Sequence, residues 1–161
     1  LMELGALICV PGTPHCEACP LADRCQGYAA GRQGELPVKP APKAKTPVAV
    51  TVALVESPAG LLLQRRPSKG LLAGLWQPAA WEGALTQPEL AEKLAKIGVQ
   101  VAWGEALPAA RHVFTHKIWN LGGWHATAPV CDLPEGWVWA APEELKQVYA
   151  VPNAYAAYLK K

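Results

Sequence analysis

Apolar and polar positions along the chain fall into several distinct patterns. Leu1, Leu4, Leu7 and Ile8 recur at helical spacing with no capping residue before them, which predicts a helix and reads as the cut end of a longer one. Residues 48–56 are rich in valine and threonine, Ser57-Pro58-Ala59-Gly60 supplies turn residues, and 61–64 resume the apolar run; a strand, a turn and a strand are expected. Thr86-Gln87-Pro88-Glu89 has the form of a capping box, and Leu90, Leu94 and Ile97 then follow at helical spacing as far as Gly98, predicting an amphipathic helix. Alternation resumes from Arg111 to Leu121, where Gly122-Gly123 interrupts it, and a short Trp137-Val138-Trp139 segment precedes a helix-like Pro142-Glu143-Glu144-Leu145. Mixed strands and helices predict an α+β domain.

Composition divides the chain into three zones. Residues 1–25 hold four of the five cysteines, residues 26–46 hold Pro37, Pro40 and Pro42 among small and basic residues, and residues 47–161 carry nearly all the aromatic side chains. The expected organisation is a cysteine-bearing segment, an extended semi-rigid linker and one main domain. With 51% hydrophobic and 17% charged residues, against a usual charged share of roughly 25%, disorder along the whole chain is excluded. A net charge of +2 argues against gripping nucleic acid by bulk charge and leaves a local basic patch open. No stretch approaches the roughly 18 apolar residues needed to span a bilayer, and the apolar start carries Glu3 without a basic leading segment, so a soluble, cytoplasmic protein is expected.

The cysteines, Cys9, Cys16, Cys19 and Cys25, are spaced C-x6-C-x2-C-x5-C. Disulfides belong to oxidising compartments, to which nothing here points. Four thiolates can close a tetrahedral zinc site, or each can hold one iron of a cubane cluster. Zinc sites commonly use two close pairs; one close pair flanked by longer arms favours iron and sulfur. The lone Cys131 is expected to be a small buried hydrophobe.

Leu-Met-Glu-Leu-Gly-Ala followed by this spacing resembles the cluster segment of the endonuclease III and adenine DNA glycosylase (MutY) superfamily. The resemblance implies a [4Fe-4S] cluster on Cys9, Cys16, Cys19 and Cys25, at the end of an all-α helix-hairpin-helix glycosylase domain. In that family the loop between the first two cysteines approaches DNA; here it is Val10-Pro11-Gly12-Thr13-Pro14-His15, with no Lys or Arg.

The third zone resembles the C-terminal domain of the adenine glycosylases, which has the MutT/Nudix fold. The matching residues are Leu63-Gln64-Arg65-Arg66-Pro67, the 70–78 run Gly-Leu-Leu-Ala-Gly-Leu-Trp-Gln-Pro, Arg111-His112-Val113-Phe114-Thr115-His116, and Tyr149-Ala150-Val151-Pro152. The implied fold is a Nudix-like mixed-sheet domain preceded by a small cysteine-ligated segment. The implied divisions are 1–25 for the end of the glycosylase domain, 26–46 for the linker and 47–161 for 8-oxoguanine recognition.

The resemblance further implies the C-terminal part of an enzyme that removes adenine mispaired with 8-oxoguanine or guanine, its partner being double-stranded DNA. The family's catalytic carboxylates fall before Leu1, so no catalytic residue is expected in this chain, which should bind rather than catalyse. Phe114, Thr115 and His116 are the implied nucleic-acid contacts. A hydroxyl such as that of Thr115 suits the N7–H donor and O8 acceptor of 8-oxoguanine, Phe114 can wedge or stack, and His116 can reach a phosphate or base edge. The competing structural reading makes Phe114 core, Thr115 an ordinary strand residue and His116 a surface residue. Likewise, the seven tryptophans are expected to form core and rim, and Arg65, Arg66 and Lys69 to meet phosphate or line a solvated loop.

Two other functions compete. A free-standing Nudix-type hydrolase of oxidised nucleotides needs glutamates in a G-x5-E-x7-R-E-U-x-E-E-x-G-U box. With Gly98-Val99 as its end, the paired glutamates fall on Ala95 and Lys96, the arginine on Ala91, and only Glu92 survives. Without a carboxylate cluster there is no oxygen-rich Mg²⁺ site. The other alternative is a zinc-binding interaction module.

Overall fold

The computed structural model describes residues 1–38 and 44–159, and the chain forms two compact units, Leu1–Lys43 and Ala44–Lys161. In the first unit, α1 (Met2–Leu7) is followed by 3₁₀ turns at Cys16–Ala18 and Ala22–Arg24, by α2 (Gln26–Ala29) and by a last turn at Gln33–Glu35. None of these elements contains a buried residue. Local backbone bonds supply their order: His15 N–H donates to the Ile8 carbonyl at 2.9 Å, Cys19 N–H to that of Cys16 at 3.1 Å, and Arg32 N–H to that of Gly27 at 2.9 Å. Residues 26–35, expected as extended linker, are therefore folded. They contain no proline, and an Arg32–Glu35 ion pair of 2.8 Å spans their last turn. Residues 39–43 of the expected linker lie outside the described residues.

The second unit is built on a seven-stranded mixed sheet. Its strands are β1 (Thr46–Ser57), β2 (Gly60–Arg65), β3 (Trp76–Glu82), β4 (Ala102–Ala106), β5 (Ala110–Val113), β6 (Lys117–Thr127) and β7 (Trp137–Ala140). They lie in the order β4-β6-β1-β3-β2-β7, with β5 also paired to β6. β1 runs parallel to β6 from Thr46 opposite Lys117 to Glu56 opposite Thr127; the other pairings are antiparallel.

The alternation along β1 divides the core. Val50, Val52 and Leu54 face one layer and Ala53 and Val55 the other, as the two-residue period of a strand requires. The second layer is closed by α3 (Gln87–Ala95), whose Leu90 and Leu94 are fully buried. The first is closed by α4 (Glu144–Gln147), a 3₁₀ turn at Asn153–Tyr155, and the side chains of Leu145, Tyr149, Tyr155 and Tyr158. The expected α+β, mixed-sheet class is the one observed.

The start of α3 lies where the capping box predicts it. Glu89 Oε2 accepts from both the backbone N–H and the hydroxyl of Thr86, each at 2.7 Å, and these bonds hold its carboxyl below the ordinary carboxylate range. At the other end Gly98 adopts φ +81° and its N–H returns to the Ala95 carbonyl at 3.0 Å, a left-handed stop for which glycine is suited.

Gly122-Gly123 does not interrupt the last long strand. β6 passes through both residues because Gly123, at φ +142°, lies so close to β1 that a Cβ there would run into the Val52 carbonyl. The pairing with β4 shifts register beside it. Here the absence of a side chain permits close strand approach.

Candidate functional site

Phe114, Thr115 and His116 form the connection between β5 and β6. Phe114 N–H donates to the Lys117 carbonyl at 2.8 Å, and the His116 carbonyl accepts from Thr46 N–H at 3.0 Å. The first residue of β1 thus pins the turn from the side. Thr115 and His116 are exposed, whereas Phe114 is half-buried. Its ring centroid lies 4.6 Å from that of His112 and 4.9 Å from that of Trp119, both edge to face. Two of the three sequence-expected residues therefore face outward, and the third anchors the turn to the core.

Beneath Phe114 is a polar and aromatic network that no sequence pattern announces. Trp119 is 1% exposed, and the Arg66 guanidinium lies 5.5 Å from its ring centroid. Arg66 Nε donates to the Leu71 carbonyl at 2.9 Å and Nη1 to Gln77 Oε1 at 2.7 Å. The Tyr155 hydroxyl donates to the same Gln77 oxygen at 2.7 Å. Burial pushes the Tyr155 phenol up to about 12, with the Arg66 charge opposing the rise.

The basic group of Arg65, Arg66 and Lys69 is consequently split. Arg65 and Lys69 are exposed, while Arg66 turns inward. Its loop includes Leu72 at φ +57°, a left-handed conformation that costs an ordinary side chain about 1–2 kcal/mol. Trp119 is core and the other six tryptophans are partly buried. Cys131, expected to be buried, is half-buried against the α3 layer, where its carbonyl accepts from Trp139 Nε1 at 3.1 Å.

Glu92 and Ala95 on α3, and Lys96 at its C-terminal cap, are exposed. Among the described residues, no three His, Cys, Asp or Glu side chains are placed to hold a metal ion. The helix keeps its packing face and lacks a clustered carboxylate face.

In the first unit Cys9, Cys16, Cys19 and Cys25 line one pocket with the apolar residues Ile8, Pro14, Ala22 and Leu36, and all four thiols are free. Burial and the neighbouring Cys25, Cys9 and Cys19 push the Cys16 thiol upward. Four thiols lining one pocket are donors of the kind that both tetrahedral zinc and iron–sulfur groups take.

A family model described as NUDIX domain matches residues 50–161. The chain belongs to the NUDIX domain family. It is similar to the adenine DNA glycosylase of Homo sapiens, 25% identical over 203 residues, covering 89% of this chain and 36% of that protein. The chain thus spans little more than a third of that relative. It is also similar to the CTP pyrophosphohydrolase of Escherichia coli K12, 26% identical over 116 residues, covering 65% of this chain and 84% of that protein. Among solved structures, a MutT protein from Methanosarcina mazei Go1 has a TM-score of 0.57 at 16% identity, covering 71% of this chain and 91% of that one, a likeness of fold. No helix among the described residues is long and apolar enough to cross a membrane.

Proposed function

We propose that this chain is the C-terminal part of an adenine DNA glycosylase, and that its NUDIX domain recognises 8-oxoguanine paired with adenine in duplex DNA. The observation that carries the reading is a NUDIX domain whose α3 lacks a carboxylate cluster among the described residues. Pyrophosphate hydrolysis needs metal-bound oxygens to neutralise developing charge, whereas binding does not. The exposed turn supplies groups for binding: the Thr115 hydroxyl as donor or acceptor toward the lesion's altered edge, His116 toward phosphate, and Phe114 as the anchor beneath them.

The first unit holds a [4Fe-4S] cluster through Cys9, Cys16, Cys19 and Cys25. When bound, the cluster supplies the ligand bonds that order a segment with too little apolar surface to fold alone. No residue of this chain cleaves the glycosidic bond; that chemistry belongs to the preceding part of the parent enzyme. The whole protein acts in base excision repair in the cytoplasm, associated with the nucleoid if the cell is bacterial.

The test is fluorescence anisotropy of the 161-residue chain with a duplex carrying 8-oxoguanine opposite adenine and with its guanine counterpart. Tighter binding to the lesion duplex, reduced by Thr115→Ala, is expected. Equal binding to both duplexes, unchanged by the substitution, would overturn the assignment. The coverage of the E. coli pyrophosphohydrolase favours hydrolysis of a nucleotide as the second reading, which Mg²⁺-dependent phosphate release would reveal. Zinc without sulfide in the purified protein would replace the cluster assignment with that of a zinc module.

A further inference from the structure

We propose that Arg66 is a positioning residue for the exposed turn and sets its preference for the oxidised base; this rests on the nucleic-acid reading above. An arginine within a basic run is ordinarily assigned to phosphate, but two of this one's three guanidinium nitrogens are committed inside the domain. Nε is bonded to the Leu71 carbonyl at 2.9 Å and Nη1 to Gln77 Oε1 at 2.7 Å. Gln77 is 4% exposed, and its oxygen is also fixed by Tyr155 at 2.7 Å.

These bonds orient the guanidinium beside Trp119, 5.5 Å from the ring centroid. Trp119 in turn carries Phe114 at 4.9 Å, and Phe114 carries His112 at 4.6 Å. The next residue after Phe114 is Thr115. Arg66, Gln77, Phe114, Trp119 and Tyr155 therefore form one contiguous column that ends at the turn.

Discrimination by a single hydroxyl needs that group held within a fraction of an ångström, and such precision comes from the residues that lock its support. All of Arg66's partners in this column are neutral: a carbonyl, an amide and an indole. A planar fork meets all three at once, whereas the point charge of a lysine cannot. The structure thus gives Arg66 a geometric task beyond its charge.

The proposal is tested with the 161-residue chain and the two duplexes already named, at one fixed salt concentration. Arg66→Met, Arg66→Lys, Thr115→Ala and the double variant Arg66→Met with Thr115→Ala are compared by anisotropy. Arg66→Met is expected to lower the preference for the lesion duplex roughly three- to tenfold, toward the low end of the coupling found within one packed network. Its affinity for the guanine duplex stays unchanged. Arg66→Lys behaves like Arg66→Met, and the double variant loses no more preference than Thr115→Ala alone.

Three results overturn the inference: equal weakening on both duplexes, which marks a phosphate contact; full rescue by lysine, which marks charge alone; and losses in the double variant that multiply, which mark independent residues. If the unsubstituted chain shows no preference, the underlying reading fails instead. Thermal unfolding establishes that each variant is folded. Should Arg66→Met not fold, Tyr155→Phe, which removes one of the two donors to Gln77, tests the same column with a smaller loss expected. Unchanged preference in that variant counts against the column.

Discussion

The hydroxyl of Tyr155 donates to Oε1 of Gln77 at 2.7 Å, joining residues 78 positions apart across the buried face of the sheet. This bond ties the C-terminal turn to β3, and Arg66 shares its acceptor. Tyr155→Phe removes one of the two donors while leaving the ring in place. The expected destabilisation is about 1 kcal/mol, the usual net worth of such a bond, because Gln77 remains satisfied by Arg66. Urea unfolding of the two proteins measures it.

The same phenol makes stability depend on pH. Its folded value of about 12 lies above the ordinary value near 10, so the fold favours the neutral, protonated form. The contribution is fully present below pH 10, where both states are protonated. It falls as pH rises through 10 toward 12, because the unfolded chain ionises first. About 3 kcal/mol is lost across that window, at roughly 1.4 kcal/mol per unit. Tyr155→Phe should flatten this segment of the stability curve; an unaltered slope there would contradict the assignment.

Gly123→Ala should be among the most damaging single substitutions. It adds a Cβ against the Val52 carbonyl at φ +142°, combining backbone strain with a clash, at a cost of at least about 3 kcal/mol. Gly122→Ala is the matched control. A Cβ there meets nothing within 4 Å, and a loss below about 1 kcal/mol is expected. Thermal unfolding of the pair distinguishes close strand approach from generic glycine loss.

The cysteine pocket gives a prediction in the first unit. Cys19→Ala should abolish the visible absorbance of the purified chain, with loss of iron and acid-labile sulfide. The NUDIX domain, with its own core, should unfold at an unchanged temperature. Retained iron and sulfide in the variant would remove Cys19 from the ligand set.

Legibility in the sequence followed the strength of local pattern. The β1–β2 hairpin and α3 were readable because alternation, turn residues and a capping box all agreed. β3 was not, since Gln77 and Pro78 sit near its start, and proline ordinarily argues against a central strand; here Pro78 is buried opposite Leu63. β4, of sequence Ala-Trp-Gly-Glu-Ala, was hidden by weak strand formers whose pairing with β6 decides their state.

The candidate site was readable in part. The positions of Phe114, Thr115 and His116 came from a family resemblance; the sequence left Phe114 open between core and stacking, and only the structure shows it half-buried beneath two exposed neighbours. The Arg66, Gln77 and Tyr155 network left no local trace, because its members meet only through tertiary contact and neither spacing nor composition distinguishes them from a basic loop, a strand and a terminal tyrosine.

The two sides of α3 are held to different standards. Leu90 and Leu94 are fixed by the core, but Ala95 and Lys96 are exposed, so their identity is nearly free of folding constraint. A lineage can therefore discard or regain acidic residues there at little cost to the domain. Chemical competence at this helix and survival of the fold are physically separable.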